Sequence, residues 1–326
     1  MAIVVIAYGQ REQTPIETAL LEHLGYQVRY LDGIPDPPGD ELADADAVLV
    51  TVQAITEQTL SAMPACKIIA RVGTGLDSID LDAAARRGIV VTYVADYSVD
   101  EVSTHAITLL MAWARRLPQY LALVRSGQWD STGAGVIRRL RGQTLGVAGF
   151  GRIGQATAAK AAGLGLRVLA FDPYRPAAEI EAAGAFPADW PALLAGSDYV
   201  SLHIPLTPES AGLIDAAALA QMKPTAILIN TARGGLVDEA ALLSAIQGGR
   251  IAGAALDVLV HEPPARSAPL LGDPRILITP HTGWYSQEAQ EDVAVRACEE
   301  VQRVLAGQPP RSPANVPLTV TGLEAS

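Results

Sequence analysis

One glycine-rich turn, set between an aliphatic run and an alanine-rich helix, constrains this chain more than any other feature. Leu145-Gly146-Val147-Ala148 reads as a buried strand, Gly149-Phe150-Gly151-Arg152-Ile153-Gly154 as the turn, and Gln155 to Ala162 as the helix. In this order each glycine has a task. Gly149 permits the tight turn, Gly151 lets the backbone approach a pyrophosphate, and Gly154 lets helix and strand pack closely. The helix start offers unpaired amides and the positive end of its dipole to phosphates. The following strand, Val168 to Phe171, ends on Asp172, about twenty residues downstream, where an acid accepts both ribose hydroxyls and repels a 2′-phosphate. The pattern predicts a Rossmann unit that takes NAD rather than NADP, with the nearby Arg175 keeping NADP open.

Composition agrees with such a fold. Hydrophobic residues make up 49% of the 326 but aromatics only 5%, so the core must be mostly Ala, Val, Leu and Ile. That palette suits parallel strands buried on both faces, which read as continuous aliphatic runs. A net charge of −11 gives no basic face for nucleic acid. Cys66 and Cys298 stand far apart without ligand spacing, so neither a disulfide framework nor a metal site is expected, and a reducing interior is. The apolar start, Ile3 to Ala7, is short and lacks a basic flank, so it reads as a first strand and not a leader. No stretch approaches the ~20 apolar residues of a membrane span. The expected location is the cytoplasm.

Before the glycine turn, strands are predicted at Ile3 to Ala7, Gln27 to Tyr30, Ala47 to Val52, Lys67 to Arg71 and Ile89 to Thr92, with helices such as Thr14 to Leu24 between them. Ser98-Val99-Asp100-Glu101 has the form of a capping box. The helix it opens carries a wide apolar surface as far as Pro118, as expected between domains or at a subunit interface. A second series of strands runs from Thr144 to Ala148 through Ile276 to Thr279. A last helix, capped by Ser286, spans about Glu288 to Ala306, and a Pro-rich tail from Pro309 is expected to lie over the surface or be loose.

Alternation of this kind makes an α/β protein with two parallel-sheet domains, one Rossmann-like and one flavodoxin-like. The closing helix falls outside the second series, so the cofactor domain (99–287) is read as inserted into a discontinuous substrate domain (1–98 plus 288–326). Two crossings would form a hinge, with the cleft between the domains as the natural site.

Ligands of open parallel sheets sit beyond the carboxyl ends of the strands. There the second series places Thr231-Ala232-Arg233 after Asn230, Asp257 after Leu256, Glu262 in a Pro-bounded loop, and His281 after Thr279-Pro280. Taken singly, each has an ordinary structural use. Together, Arg, Glu and His are what reduction of a 2-keto acid requires. An Arg fork holds a carboxylate or polarises a carbonyl, a His delivers the proton, and a Glu on its other nitrogen orients the ring. In the first series, Arg71-Val72-Gly73-Thr74-Gly75 follows a strand and could form an anion nest. Read alone, the stretch serves equally well as a plain strand-to-helix turn.

With these residues in view, the chain resembles the D-isomer-specific 2-hydroxyacid dehydrogenases. The resemblance rests on the glycine turn, Asn230 to Gly235, Asp257-Val258 with Glu262-Pro263, and Thr279-Pro280-His281. Arg71 to Asp77 and Pro280 to Ser286 are similar to the C-terminal-binding-protein branch. The resemblance implies that Arg233 binds the substrate carboxylate and keto oxygen, His281 is the acid/base, and Glu262 is its partner. Asp257 would hold the nicotinamide carboxamide. Arg152 and Ile153 would meet the pyrophosphate, and His203 and Pro205 would line the adenosine side. Thr231, Ala232 and Gly283 would also border the cofactor. Arg71, with the amides of Val72 and Gly73, would take the substrate carboxylate, and Trp284 would wall the side-chain pocket. Tyr93 and Ala95 depart from the common Asn and Pro, which bears on substrate choice.

The implied activity is NAD-dependent interconversion of a 2-keto acid and a D-2-hydroxy acid by a homodimer. The alternatives are an NADH-responsive corepressor-like scaffold and a dehydrogenase of another small anion such as phosphite.

Overall fold

The computed structural model describes residues 1–10, 12–31 and 36–315. The chain divides into two compact units, Met1–Tyr97 with Ser286–Ser326, and Ser98–Tyr285. In the first, β1 (Ile3–Ile6), α1 (Pro15–His23), β2 (Gln27–Tyr30), α2 (Gly39–Leu42), β3 (Ala47–Val50), α3 (Glu57–Ser61), β4 (Ile68–Arg71), α4 (Leu81–Arg86) and β5 (Val90–Thr92) follow in turn. The sheet runs β2-β1-β3-β4-β5 with every pairing parallel, which is the flavodoxin-like order. All four residues of β3 are buried, as a strand covered on both faces requires.

The second unit opens with α5 (Val99–Ala114) and α6 (Leu117–Arg125), then β6 (Thr144–Ala148), α7 (Arg152–Gly163), β7 (Arg167–Phe171), α8 (Ala177–Ala182), β8 (Phe186–Pro187) and α9 (Trp190–Gly196). It continues with β9 (Tyr199–Leu202), α10 (Ala216–Gln221), β10 (Ile227–Asn230), α11 (Glu239–Gln247), β11 (Gly253–Leu256) and β12 (Ile276–Ile278). Its sheet runs β12-β11-β10-β9-β6-β7-β8. The order reverses between β6 and β9, so the crevice beyond their carboxyl ends is where a Rossmann sheet takes a dinucleotide.

The helix predicted to continue to Pro118 is in fact two helices. Arg116 adopts a left-handed conformation (φ 54°) that ends α5 a turn early, and Pro118 sits in the first turn of α6, where its missing N–H costs nothing. The guanidinium of Arg116 lies over the Trp113 ring at 3.9 Å, a contact that compensates part of the strain of a left-handed non-glycine residue. Nor does Ser98 cap α5: its side chain makes no cap bond. The apolar face of α5 packs into the core of its own unit, where Ala106, Leu109, Leu110 and Trp113 join Leu145, Val147, Ile229 and Ala255.

The chain rejoins the first unit as α12 (Gln287–Leu305). Ser286 caps it through Ala289 N at 2.9 Å, a bond worth ~1 kcal/mol. Val293, Ala297, Cys298 and Val301 form one stripe, which packs with Val4, Ile6, Leu49 and Ile68 of that unit's sheet. The tail, expected to lie over the surface or be loose, lies on the first unit and is pinned as far as Asn315. Glu300 accepts the amides of Arg311 and Ser312, Ala314 N donates to Val91 O, and Asn315 Oδ1 accepts Val91 N at 2.8 Å. It covers the β5 edge, whose amides would otherwise stand open. The rest of the predicted tail lies outside the described residues.

Candidate active site

The nucleotide end of the second unit is built on backbone closeness. Gly149 has φ 89°, and a Cβ there would stand 2.5 Å from the carbonyl oxygen of His203. The turn after β6 therefore seats directly on the turn after β9. Gly154 closes the same turn from the helix side, since a Cβ on it would stand 2.1 Å from Gly149 O. Gly151 is the opposite case: a Cβ there would meet nothing within 4 Å. It leaves an open cradle at the start of α7, which no side chain caps. These are the features a pyrophosphate needs.

Asp172 closes the cradle at the end of β7. Its Oδ2 accepts Phe150 N at 2.8 Å and its Oδ1 accepts Tyr174 N at 2.9 Å. Arg175, the residue that kept NADP open, is paired with Glu179 at 2.9 Å. Arg152 is exposed at the helix start and Ile153 half-buried, with Pro205 exposed beyond β9. His203 Nε2 lies 2.9 Å from Ser201 Oγ, and desolvation pushes its imidazole down to about 4, so the ring is neutral at pH 7.

Beyond β10, Asn230 is wholly buried and ties down the loop that carries Arg233: its Nδ2 donates to Arg233 O at 2.8 Å and its Oδ1 accepts Ala232 N at 3.0 Å. Arg233 is extended and half-buried, with Nη1 donating to Ala232 O at 2.7 Å. The Thr231 hydroxyl is buried without a hydrogen-bond partner. Such an orphan is costly in a finished interior and points to a missing ligand. Together with the open cradle at Gly151, it fits a dinucleotide at this edge.

Beyond β11 and β12 lies a cluster of bonded polar side chains. Glu262 Oε2 stands 2.6 Å from His281 Nδ1, and its Oε1 accepts Leu259 N at 2.8 Å, so both carboxylate oxygens are fixed. Desolvation raises the Glu262 carboxyl, but the hydrogen bonds from His281 and Leu259 outweigh it and leave the group below its usual range. His281 takes a left-handed φ of 53°, unusual for a residue with a side chain. Its amide donates to Asp257 O at 2.8 Å, which holds the turn in that shape.

The Asp257 carboxylate is 2% exposed and sits inside the same turn. It accepts Thr279 Oγ1, Thr282 N and Gly283 N at 2.5, 3.0 and 2.8 Å. Burial raises the Asp257 carboxyl too, yet the bonds from His105, Thr279 and the two amides hold it below the usual range. Trp284 stands edge-on to Tyr285 at the end of the turn. Asn230, His105 and Thr279 are missing from the sequence-based set. A buried Asn at a strand end, two residues ahead of an amide it can accept, is a turn signal that could have found the first.

In the first unit, Arg71 closes β4 and turns into its own loop, with Nε on Gly75 O at 2.8 Å and Nη1 on Val72 O. Val72 N donates to Val50 O and Gly73 N to Arg71 O, so both amides of the expected nest already have backbone acceptors. The anion-nest reading narrows to the guanidinium.

Comparison with known proteins agrees with the geometry. The NAD binding domain of the D-isomer specific 2-hydroxyacid dehydrogenases matches residues 107–283. A D-3-phosphoglycerate dehydrogenase of Mycobacterium tuberculosis is 41% identical over 288 residues, 86% of this chain and 53% of the relative. The chain thus spans about half the length of the curated relatives it matches. A solved protein of Thermus thermophilus superposes with a TM-score of 0.86 at 33% identity, covering 96% of this chain and 99% of the other. D-lactate dehydrogenase from Aquifex aeolicus, solved with NAD and lactic acid, gives 0.86 at 30% identity, covering 93% and 96%. These relatives lend no support to the narrower likeness to the C-terminal-binding-protein branch. With its NAD binding domain and this level of identity, the chain belongs to the D-isomer specific 2-hydroxyacid dehydrogenase family.

Proposed function

We propose that the protein interconverts a 2-keto acid and the corresponding D-2-hydroxy acid, with NAD as redox partner. The observation that carries this reading is the Glu262–His281 pair, 2.6 Å apart, beyond the same sheet edge as Arg233 and the glycine turn. NAD, when bound, supplies the redox chemistry, giving or taking a hydride at the substrate carbon. Gly151, Arg152 and Ile153, on the turn that Gly149 and Gly154 close, would hold its pyrophosphate and Asp172 its ribose. His203 and Pro205 border the adenosine side, and Thr231, Ala232, Asp257 and Gly283 the nicotinamide side.

Because Nδ1 of His281 is committed to Glu262, Nε2 is the atom that exchanges a proton with the substrate oxygen. In reduction it donates; in oxidation it accepts. Glu262 stabilises the charged ring and is itself held ionised by its hydrogen bonds. Arg233 holds the substrate carboxylate and polarises the carbonyl. Arg71 is a second candidate for the carboxylate and Trp284 for the side chain of the substrate. Reduction takes up one proton per turnover and oxidation releases one, so raising the pH works against reduction and favours oxidation.

The names of the relatives make D-3-phosphoglycerate and D-lactate the first substrates to assay. NADH consumption with a panel of 2-keto acids, and NAD reduction with the matching D- and L-2-hydroxy acids, tests the reading. Turnover confined to the D-series supports it; turnover with neither series removes it. Repeating the panel with NADPH tests the role given to Asp172.

The assembly proposed is a homodimer. No residue of α6 is buried, and Leu117, Leu121, Val124, Trp129 and Val136 stand exposed on or close after it, Trp129 at 92%. Exposed apolar residues gathered on one stretch of chain favour an interaction site there. Light scattering of Trp129→Asp beside the native chain tests it: the native chain should run as a dimer and the variant as a monomer. The working compartment proposed is the reducing cytoplasm, where Cys66 and Cys298, free and buried, stay thiols.

A further inference from the structure

His105 lies on α5, far in sequence from the residues given roles above, and faces the underside of the His281 turn. Its Nε2 stands 3.0 Å from Thr279 Oγ1 and 3.3 Å from Asp257 Oδ1. Thr279 Oγ1 in turn stands 2.5 Å from the same carboxylate oxygen. The direction of the protons follows from chemistry. An ionised carboxylate can only accept, so the threonine hydroxyl donates to Asp257. The hydroxyl oxygen then offers a lone pair, and the Nε2 facing it must carry a proton.

The carboxylate at the end of this chain holds more than itself. Asp257 accepts the amides of Thr282 and Gly283, and its backbone oxygen accepts the amide of His281. The turn is closed so tightly that a Cβ on Gly283 would stand 2.8 Å from Asp257 Oδ2 and 3.3 Å from His105 Cδ2. A left-handed His281 persists only where its surroundings enforce it. Those surroundings end on the His105 ring.

We propose that His105 is a positioning residue: directly and through Thr279 it fixes the Asp257 carboxylate, and through that carboxylate the turn that aims His281. The proposal rests on the reading of His281 and Asp257 above. It predicts that His105 acts as an Nε2–H donor, and that what matters at position 105 is the donor, not the ring.

The test compares His105→Leu, which removes the donor, with His105→Gln, whose Nε2 places an N–H at about the same reach. Nitrogen NMR of the ligand-free native protein should find His105 Nε2 protonated; a bare Nε2 overturns the proposal without any assay of turnover. NADH affinity, measured by fluorescence titration, and kcat on the best substrate should each fall about ten-fold or more in His105→Leu. The KM for the keto acid should move less than kcat, and His105→Gln should recover most of both losses. Equal losses in the two variants, or none in either, overturn the proposal and leave His105 as packing between helix and sheet. If the native protein turns over no 2-keto or 2-hydroxy acid, the functional reading fails, while the NMR and cofactor titration still decide on the hydrogen-bond chain.

Discussion

The two units present the same kind of edge, the carboxyl ends of an all-parallel sheet, and have made different things of it. At the edge of the first unit, the groups of the loop after β4 meet backbone partners: Arg71 donates to Val72 O and Gly75 O, and the amides of Val72 and Gly73 donate to Val50 O and Arg71 O. At the edge of the second, polar groups are packed in excess. Asp257 receives four hydrogen bonds and Glu262 two, His281 is held in a left-handed turn, and the Thr231 hydroxyl is left with no partner. Parallel topology alone therefore does not make a site. A site needs a reactive group held in place by its neighbours and, beside it, hydrogen-bonding capacity that the protein leaves unmet; the second unit has both, in the His281 turn and at the Thr231 hydroxyl.

Substitutions can break or sharpen this contrast. The largest effect is expected from Glu262→Gln, which keeps the shape but removes the charge that stabilises a protonated His281. Turnover should fall about 10²-fold or more, with NADH affinity changed only a few-fold. Next comes a paired comparison. Arg233→Lys loses the planar fork and should cost kcat/KM about ten- to a hundred-fold. Arg71→Lys, on the edge of the first unit, should cost less and chiefly in KM. Equal losses at the two positions would show that the first edge takes as direct a part as the second.

The smallest expected effect is on stability. In the folded protein the His203 imidazole accepts a proton only near pH 4, whereas unfolded it does so near its ordinary value of 6.5. Between those values the unfolded chain binds more protons, so stability is full above about 6.5 and declines as pH falls toward 4. The contribution is on the order of 3 kcal/mol. His203→Gln should flatten the slope of Tm against pH in that window and leave it unchanged above pH 7. An identical slope would mean that the ring is not desolvated.

Much of this was legible in the chain itself, because the signals are local. Aliphatic runs such as Ala47 to Val50 and Ile227 to Asn230 mark strands buried on both faces, and the glycine turn marks the β6–α7 crevice. Arg233, Asp257 and His281 fall directly after strands, so topology alone brings them to one edge. What could not be read depends on contacts distant in sequence. The two-residue β8 forms only because β7 is there to pair with it. The break at Arg116 is the exception, a local left-handed turn at a residue type that does not announce one. The pinned tail needs Val91 and Glu300 as partners. His105 meets Thr279 only after α5 has packed on the sheet. Ser98 shows the opposite failure, a local capping pattern that the backbone there does not use.

The account stands or falls on His281. With His281→Asn, we expect NADH to bind within a few-fold of the native affinity while keto-acid reduction drops by about 10²-fold or more, because the proton donor alone has been removed. Reduction by His281→Asn at close to the native rate would contradict the account, since Nε2 of this ring would then not be the group that moves the proton.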